Sequence, residues 1–380
     1  MKILHLAVSC FYIDGYNFQE NIIPRFNLND GHEVKIIAST ETYVTNNKLG
    51  YVTPSKYINN DGIIVERIPY RKFLPRKIMS KLRMYIGLYN KISEFKPDVI
   101  LHHGVPSFEL FTLSKYKSHN PRVKIYLDSH EDKYNSAKNF LSKVFLHKIY
   151  YKLIVRKNYK NFEKILCVSL ESMDFCSQVY KIPTSYLEFF PLGGEILAND
   201  EYENNRKKNI KKYDLEDKII FIHSGKMNER KKTLMLLEQF TKLENKNLIL
   251  LLAGSFSDEI KVKSELYLKE DSRIKYLGWL NSNEINGLMC ASDVYVQPGS
   301  QSASLQNAIC YRNAIIAYEH KSHVPFVDGN GYLIRDEETL YNAMKNISQD
   351  VDMLISMKAK SFDIAIKLLD YKELSKRIYV

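Results

Sequence analysis

The stretch Ile219-Ile220-Phe221-Ile222-His223-Ser224-Gly225-Lys226-Met227-Asn228-Glu229-Arg230-Lys231-Lys232-Thr233, continuing to Phe240, passes from an apolar run through a polar turn into a helical pattern. A short apolar run without alternation is a strand buried on both faces, as in a parallel sheet covered by helices. The pattern recurs. In the second half, apolar runs at 219–223, 248–253, 274–277, 294–297, 314–317 and 332–334 alternate with helical stretches, and helical sequence from 337 to 378 closes the chain. In the first half, runs at 3–8, 34–38, 63–68, 99–102, 123–127 and 165–168 do the same, with helical patterns at 80–95 and 135–159. In the latter, Phe140, Leu141, Val144, Phe145 and Ile149 recur at three- and four-residue steps. Repeated strand then helix means α/β architecture with parallel sheets.

At 380 residues the chain is long enough for two domains. Pro191-Leu192-Gly193-Gly194 precedes a charged, Asn- and Lys-rich segment with few apolar anchors, so the boundaries expected are 1–192 for an N-terminal domain, 193–217 for a linker and 218–380 for a C-terminal domain. The C-terminal helix is the candidate to pack back on the first domain. Two doubly wound, Rossmann-like domains facing a central cleft would place ligands at the carboxyl ends of their strands.

Hydrophobic residues at 45% and charged residues at 26% exclude a disordered or fibrous chain. No run approaches the length of a membrane span, and the apolar start behind Lys2 lacks a signal-peptide cleavage pattern. Cys10, Cys167, Cys176, Cys290 and Cys310 show no zinc-ligand or disulfide spacing, so a reducing cytoplasm is expected. Of the net charge of +11, residues 1–200 hold +9. Residues 67–91 carry eight basic side chains and no acidic one, and 133–164 carry nine against Glu163 alone. A basic surface attracts nucleic acid or anionic lipid headgroups; no aromatic or Arg readout motif for nucleic acid is found. Neither a dinucleotide fingerprint nor a P-loop follows any of the strands.

Gly225, Lys226 and Lys231 before a helix start suit a diphosphate, with the cations as point charges and the helix end supplying backbone donors; a lysine-rich surface turn is the plain alternative. Residues 294–308 pass from a buried strand through Gly299, Gln301, Ser302 and Ser304 into a helix with Gln306 and Asn307. Small side chains admit a ligand to the backbone, and the amides can hydrogen-bond hydroxyls. An N-cap cluster would look similar. Asp128-Ser129-His130-Glu131-Asp132 follows a strand end, where polar groups point to a ligand or cap a helix. His102 and His103 also end a strand and rank below His130, as paired histidines there are more often hydrogen-bonded structure.

The order of these elements resembles the retaining glycosyltransferases of family 4, with the GT-B fold, over nearly the whole chain. Gly225, Lys226, Lys231 and Lys232 stand at the positions of the family's Gly-Arg-x-x-x-x-Lys-Gly turn. Leu277-Gly278 matches its Leu-Gly, Ala291-Ser292-Asp293 through Pro298 matches its Ala-Asp-x-x-x-x-Pro with one added residue, and Asp328-Gly329-Asn330-Gly331 matches its Asp-Gly-x-Gly. The family's two glutamates are absent: Gln301 falls near the first, and Gln306 or Asn307 near the second. The form Pro298-Gly299-x-Gln301-Ser302 resembles a subset of bacterial surface-polysaccharide (capsule and O-antigen) transferases, as does the segment from Gly15 to Asn21.

The resemblance implies a hexosyltransferase that moves a sugar from a nucleotide-sugar donor, UDP-sugar favoured over GDP-sugar, to a glycan or lipid-linked glycan acceptor with retention. His130, Lys226 and Lys231 are the expected catalytic residues. Gly225, Leu277, Gly299, Gln301, Ser302, Ser304, Gln306 and Asn307 are expected at the donor, and Gly15, Gln19, Glu20, Asn21 and Asp132 at the acceptor. No metal, no cofactor beyond the donor substrate and no nucleic acid are expected. A peripheral position on the anionic inner face of the cell membrane is expected from the basic stretches and their interleaved Phe73, Leu74, Met84, Tyr85, Phe140, Phe145, Tyr150 and Tyr151. A nucleotide-sugar epimerase and a non-catalytic nucleotide-sugar-binding subunit are the alternatives.

Overall fold

The computed structural model describes residues 1–44, 48–132 and 142–380. It divides into one unit of Met1–Pro191 with Tyr371–Val380 and a second of Leu192–Asp370. The expected helical residues 135–141, including Phe140 and Leu141, lie outside the described residues, as do the side chains of Val144 and Phe145.

In the first unit the strands are β1 (Lys2–Ala7), β2 (Glu33–Ser39), β3 (Glu41–Tyr43), β4 (Leu49–Tyr51), β5 (Ser55–Ile58), β6 (Ile64–Ile68), β7 (Val99–His102), β8 (Lys124–Ser129), β9 (Ile165–Cys167) and β10 (Leu187–Phe189). Eight form a sheet in the order β10-β9-β8-β7-β1-β2-β6-β5, while β3 and β4 pair as a hairpin. All its pairings are parallel except β5 with β6. In the second unit β11 (Ile219–Met227), β12 (Leu248–Phe256), β13 (Ile274–Gly278), β14 (Val294–Gln297), β15 (Ala314–Tyr318) and β16 (Gly331–Ile334) form an all-parallel sheet in the order β13-β12-β11-β14-β15-β16. The order in which successive strands are added reverses between β1 and β7 in the first unit and between β11 and β14 in the second. Such switch points leave an opening at the carboxyl ends of the strands.

β11 runs four residues beyond the expected 219–223, so Gly225 and Lys226 lie in the strand and not in a turn after it. The cause is its partner. β11 stays in register with β12 for nine residues, Gly225 opposite Gly254, and a Cβ on Gly254 would lie 1.9 Å from the Gly225 carbonyl oxygen. Gly254 lets the strands remain paired where a side chain would have parted them, and Gly225 takes a φ of +112° that side chains rarely adopt.

Residues 199–213, assigned to the linker from their charge, form the helix Asn199–Tyr213 within the second unit. Polar contacts hold it where apolar anchors are scarce. Arg206 donates to the carbonyl oxygens of Cys290, Ala291 and Ser292 and to Asp293, and Lys358 reaches the same Asp293 oxygen at 2.6 Å. At the other end of the chain, the helix Tyr371–Lys376 belongs to the first unit: Leu374 and Ile378 are buried with Ile3, Ile23 and Phe190. Truncating one such side chain to Ala costs about 2–5 kcal/mol.

The expected helix 80–95 is two helices, Arg76–Leu82 and Leu88–Phe95. Arg83 and Gly87 adopt left-handed backbone between them. Tyr85 is drawn into the core, its N–H donating to Glu109 (2.8 Å) and its hydroxyl to the Val8 carbonyl (2.7 Å). Tyr85 and Tyr151 are therefore core residues and not membrane-facing, and Met84 and Tyr150 pack against the same core. Phe73, Leu74 and Ile149 are exposed.

Candidate functional site

Each sheet carries a polar constellation at its switch point. In the first unit it is a chain of buried side chains. Asn27 Nδ2 donates to the Ser375 carbonyl (3.2 Å), Asn27 Oδ1 faces His5 Nε2 (2.9 Å), His5 Nδ1 faces His103 Nε2 (3.1 Å), and His103 Nδ1 faces Asp128 Oδ2 (2.5 Å). The other Asp128 oxygen accepts the Gly104 N–H at 2.7 Å and lies 3.6 Å from His130 Nε2, an ion-pair separation. Asn27, His5, His103 and Asp128 are buried, whereas the His130 side chain is 40% exposed. The chain leads from a helix of the C-terminus to one accessible imidazole.

The partners fix where the protons sit. A carbonyl only accepts, so the Asn27 atom beside Ser375 is the amide nitrogen and the one beside His5 is the oxygen. His5 must then donate from Nε2. Burial and the neighbouring His103 hold its pKa down to about 3, so the ring is neutral and Nδ1 accepts. His103 stands between His5 and Asp128, with Nε2 facing the accepting His5 Nδ1 and Nδ1 facing the Asp128 carboxylate. Burial would raise the Asp128 pKa, but His103 and then His130 outweigh it and hold the carboxyl well below its usual range. Burial would lower that of His130, and the Asp128 carboxylate overcomes it, pushing it up to about 9. His130 is thus an imidazolium at neutral pH. His102, beside this chain, is fully buried and pushed down to about 4, chiefly by burial.

The expected acceptor residues divide. Gly15 turns the loop after β1 with φ +76°. Gln19 and Asn21 are buried and anchor backbone, through Gln19 Nε2 to the Pro191 carbonyl (3.4 Å) and Asn21 Nδ2 to the Ile13 carbonyl (3.0 Å), so they shape the loop. Glu20 is half-buried, and burial raises its pKa despite His103 and His130 nearby. Glu131 accepts the Ser129 hydroxyl at 2.9 Å, and Asp132 is buried.

In the second unit the cation of interest is Lys231. It ends the one-turn helix Glu229–Lys231, capped by Asn228, whose side chain accepts the Lys231 N–H at 3.1 Å. Lys231 is buried, and its ammonium has no hydrogen-bond partner among the described residues. Desolvation alone pushes its pKa down to about 8. His223 and His323 lie within its field and are both pushed down to about 4, mainly by burial. His223 bonds the Val296 carbonyl (2.7 Å) and Thr233 (3.1 Å), and His323 bonds the Tyr318 carbonyl (2.7 Å). Neither offers Lys231 an anion.

Gly299 holds this loop in place. Ser300 N–H donates to the Arg230 carbonyl at 2.8 Å, and a Cβ on Gly299 would lie 2.3 Å from that oxygen. Its role is the close approach of two backbones, which the expectation of a donor contact overlooked. Lys226 is exposed at the end of β11, and Lys232 sets its ammonium 4.1 Å from the Tyr318 ring centroid.

A cleft of about 210 Å³ opens at the end of β11 and β12, lined by Ser224, Gly225, Ala253, Gly254, Trp279, Leu280, Ser282, Ile285 and Ser304. Gly225 and Ser304 were expected there. Leu277 is half-buried at a register shift of β13 and does not line it. Trp279, the only tryptophan of the chain, is 74% exposed and was missed; a lone Trp just after Leu277-Gly278 was the available signal. Ser302 bonds Ser304, 3.2 Å between hydroxyls, at the start of the helix Ser304–Cys310. Gln306 is buried with Oε1 accepting the Gly193 N–H at 2.8 Å, so it ties down the Gly193 backbone. Gln301 and Asn307 are half-buried.

Residues 205–359 match the family Glycosyl transferases group 1. The match lies within the second unit and contains Lys231, the cleft and the 297–307 turn. No curated protein matches the chain in sequence. Among solved structures, HepE of Anabaena in complex with UDP aligns with a TM-score of 0.67 at 14% identity, covering 100% of this chain and 98% of its own. A glycosyltransferase of Rickettsia africae aligns at 0.69 and 14%, covering 99% and 96%. WaaG, a glycosyltransferase involved in lipopolysaccharide biosynthesis, aligns at 0.62 and 14%, covering both chains fully. At these identities the likeness establishes the fold, which is GT-B with two Rossmann-like domains.

Proposed function

We propose that this chain is a retaining hexosyltransferase that takes its sugar from a UDP-sugar held by the second unit. The observation that carries the reading is the Lys231 ammonium, buried and unpartnered at the carboxyl edge of the group 1 domain. An unpaired buried cation is costly, and the leaving diphosphate is the anion that would relieve it. Stabilising that developing charge is the main catalytic lever, with the exposed Lys226 as a second cation. The 210 Å³ cleft, with Trp279 at its mouth and Ser224, Ser282 and Ser304 as hydroxyl donors, suits a single-ring base and its ribose better than a purine nucleoside. Gln301, Ser302 and Asn307 would hold sugar hydroxyls without supplying a carboxylate at the transferring carbon.

The acceptor belongs to the first unit in this reading, where the His130 imidazolium hydrogen-bonds an acceptor hydroxyl. The acceptor is a lipid-linked glycan of a bacterial surface polysaccharide. Support comes from exposed Phe73, Leu74, Ile149 and Leu153 among the lysines of the basic stretches, an arrangement that rests on anionic headgroups at about 1 kcal/mol per cation. No helix among the described residues is long and apolar enough to cross a membrane.

A panel of nucleotide sugars screened by thermal unfolding tests the donor half, since only a ligand preferring the folded state raises the midpoint. UDP-hexoses should give the largest shift, and with lipid-linked glycan acceptors the anomeric configuration should be kept. Conversion of the donor without an acceptor would establish an epimerase instead. Binding without turnover on any acceptor would leave a non-catalytic subunit.

A further inference from the structure

The basic stretch 67–91 contains a cavity that neither the donor site nor His130 uses. It measures about 480 Å³ and opens at the carboxyl ends of β2 and β6, where Thr40, Pro69 and Tyr70 leave the sheet. Arg71, Lys72 and Arg76 line it, and no carboxylate does among the described residues. None of the three joins an ion pair with a described residue. Two are already positioned. Arg71 donates from Nε to the Tyr85 carbonyl (3.1 Å), with its guanidinium 5.2 Å from the Phe108 ring centroid, and the Arg76 guanidinium sits 4.9 Å from that of Tyr51. The rest of the wall is apolar, with Val52, Leu74 and Ile86. Leu74 and the adjoining Phe73 are exposed.

Three cations in one wall, with only Glu109 behind Arg71 in their field and no carboxylate lining the cavity among the described residues, call for an anion with several oxygens, and planar guanidiniums favour a phosphoryl group. An apolar wall running out to exposed Leu74 and Phe73 calls for hydrocarbon on the same molecule. We propose that this cavity binds a phosphoryl group bearing an apolar chain, as the anchoring part of the acceptor. The proposal rests on the reading that the first unit receives the acceptor. β8, which leads into His130, lies three strand spacings from β2, roughly 14 Å along the same edge. A few linked sugar rings would span that distance to the attacking hydroxyl.

Calorimetric titration of the full chain with hexyl phosphate, inorganic phosphate and hexanol tests it. Hexyl phosphate should bind at least tenfold more tightly than either fragment, and more weakly at high salt. Lys72→Ala with Arg76→Ala, both exposed side chains, should lower that affinity tenfold while thermal midpoint and UDP binding stay unchanged. Hexanol binding as tightly as hexyl phosphate, or an unaltered affinity in the double variant, would overturn the proposal. Vesicles with anionic lipid identify the source: displacement by hexyl phosphate marks a bilayer headgroup, and its binding without displacement marks a soluble phosphorylated acceptor. A chain that binds hexyl phosphate but no UDP-sugar would sink the donor reading and leave this cavity standing.

Discussion

Two buried charges, Asp128 in the first unit and Lys231 in the second, have opposite surroundings. Asp128 is saturated: His103, the Gly104 N–H and His130 converge on its two oxygens, and the line of partners continues through His5 and Asn27 to a backbone carbonyl. Lys231 has desolvation and, among the described residues, no hydrogen-bond partner to set against it. A saturated charge holds structure and orients its accessible neighbour. A charge left without its partner gives up stability for something that arrives from outside, which is where a ligand belongs.

The comparison breaks first at Asp128. Replacing it by Ala leaves buried His103 Nδ1 and the Gly104 N–H without their partner, and urea unfolding should show a loss of about 3 kcal/mol; a loss under about 1 kcal/mol would mean that Asp128 does not hold this chain of side chains together. Next comes His130→Ala, expected to slow transfer roughly a hundredfold while leaving nucleotide affinity within experimental error. With its pKa raised to about 9, His130 supplies its proton at lower pH and loses it as pH rises through that value. The alkaline limb of the rate profile should therefore vanish in His130→Gln, and its survival would assign the limb to another group.

Smaller effects sharpen the same contrast. Asn27→Leu removes the amide that dictates the His5 tautomer, so nitrogen NMR should show the His5 ring proton no longer fixed on Nε2, at a stability cost of about 1–3 kcal/mol for the stranded Ser375 carbonyl. An unchanged His5 spectrum would refute the proton assignment. Smallest are the amides of the 301–307 turn. Gln301→Ala and Asn307→Ala should each weaken donor binding severalfold, about 1 kcal/mol, whereas Gln306→Ala should lower the thermal midpoint through Gly193 and spare donor affinity. The reverse pattern would return Gln306 to the donor site.

The apolar runs made the parallel strands legible because burial on both faces leaves little besides Val, Ile and Leu to choose from. Leu187-Glu188-Phe189 and Ser55-Lys56-Tyr57-Ile58 escaped, being short edge strands with mixed burial. The helix Asn199–Tyr213 read as a linker because Arg206 and Asp293 hold it by charge, which no hydrophobic period records. The candidate positions beyond strand ends, His130, Lys231 and Ser304, could be named from position alone. The role of His103 could not, since it depends on Ser375, far along the chain, fixing the orientation of Asn27. Gly299 and Gln306 were legible as small and polar, but whether they meet a ligand or backbone depends on which neighbour fills the space.

The most direct measurement is made on Lys231→Met, which keeps the side-chain bulk and removes the ammonium. Because its folded pKa of about 8 lies below the unfolded value, the unfolded state binds more protons between pH 8 and 10.5, so wild-type stability rises with pH across that window, by an amount of order 3 kcal/mol. The account predicts that Lys231→Met is at least as stable as wild type at pH 7, loses that rise, and binds UDP at least tenfold more weakly by calorimetry. A variant that is less stable at pH 7, or one that binds UDP as the wild type does, would show that Lys231 is not the cation reserved for the donor.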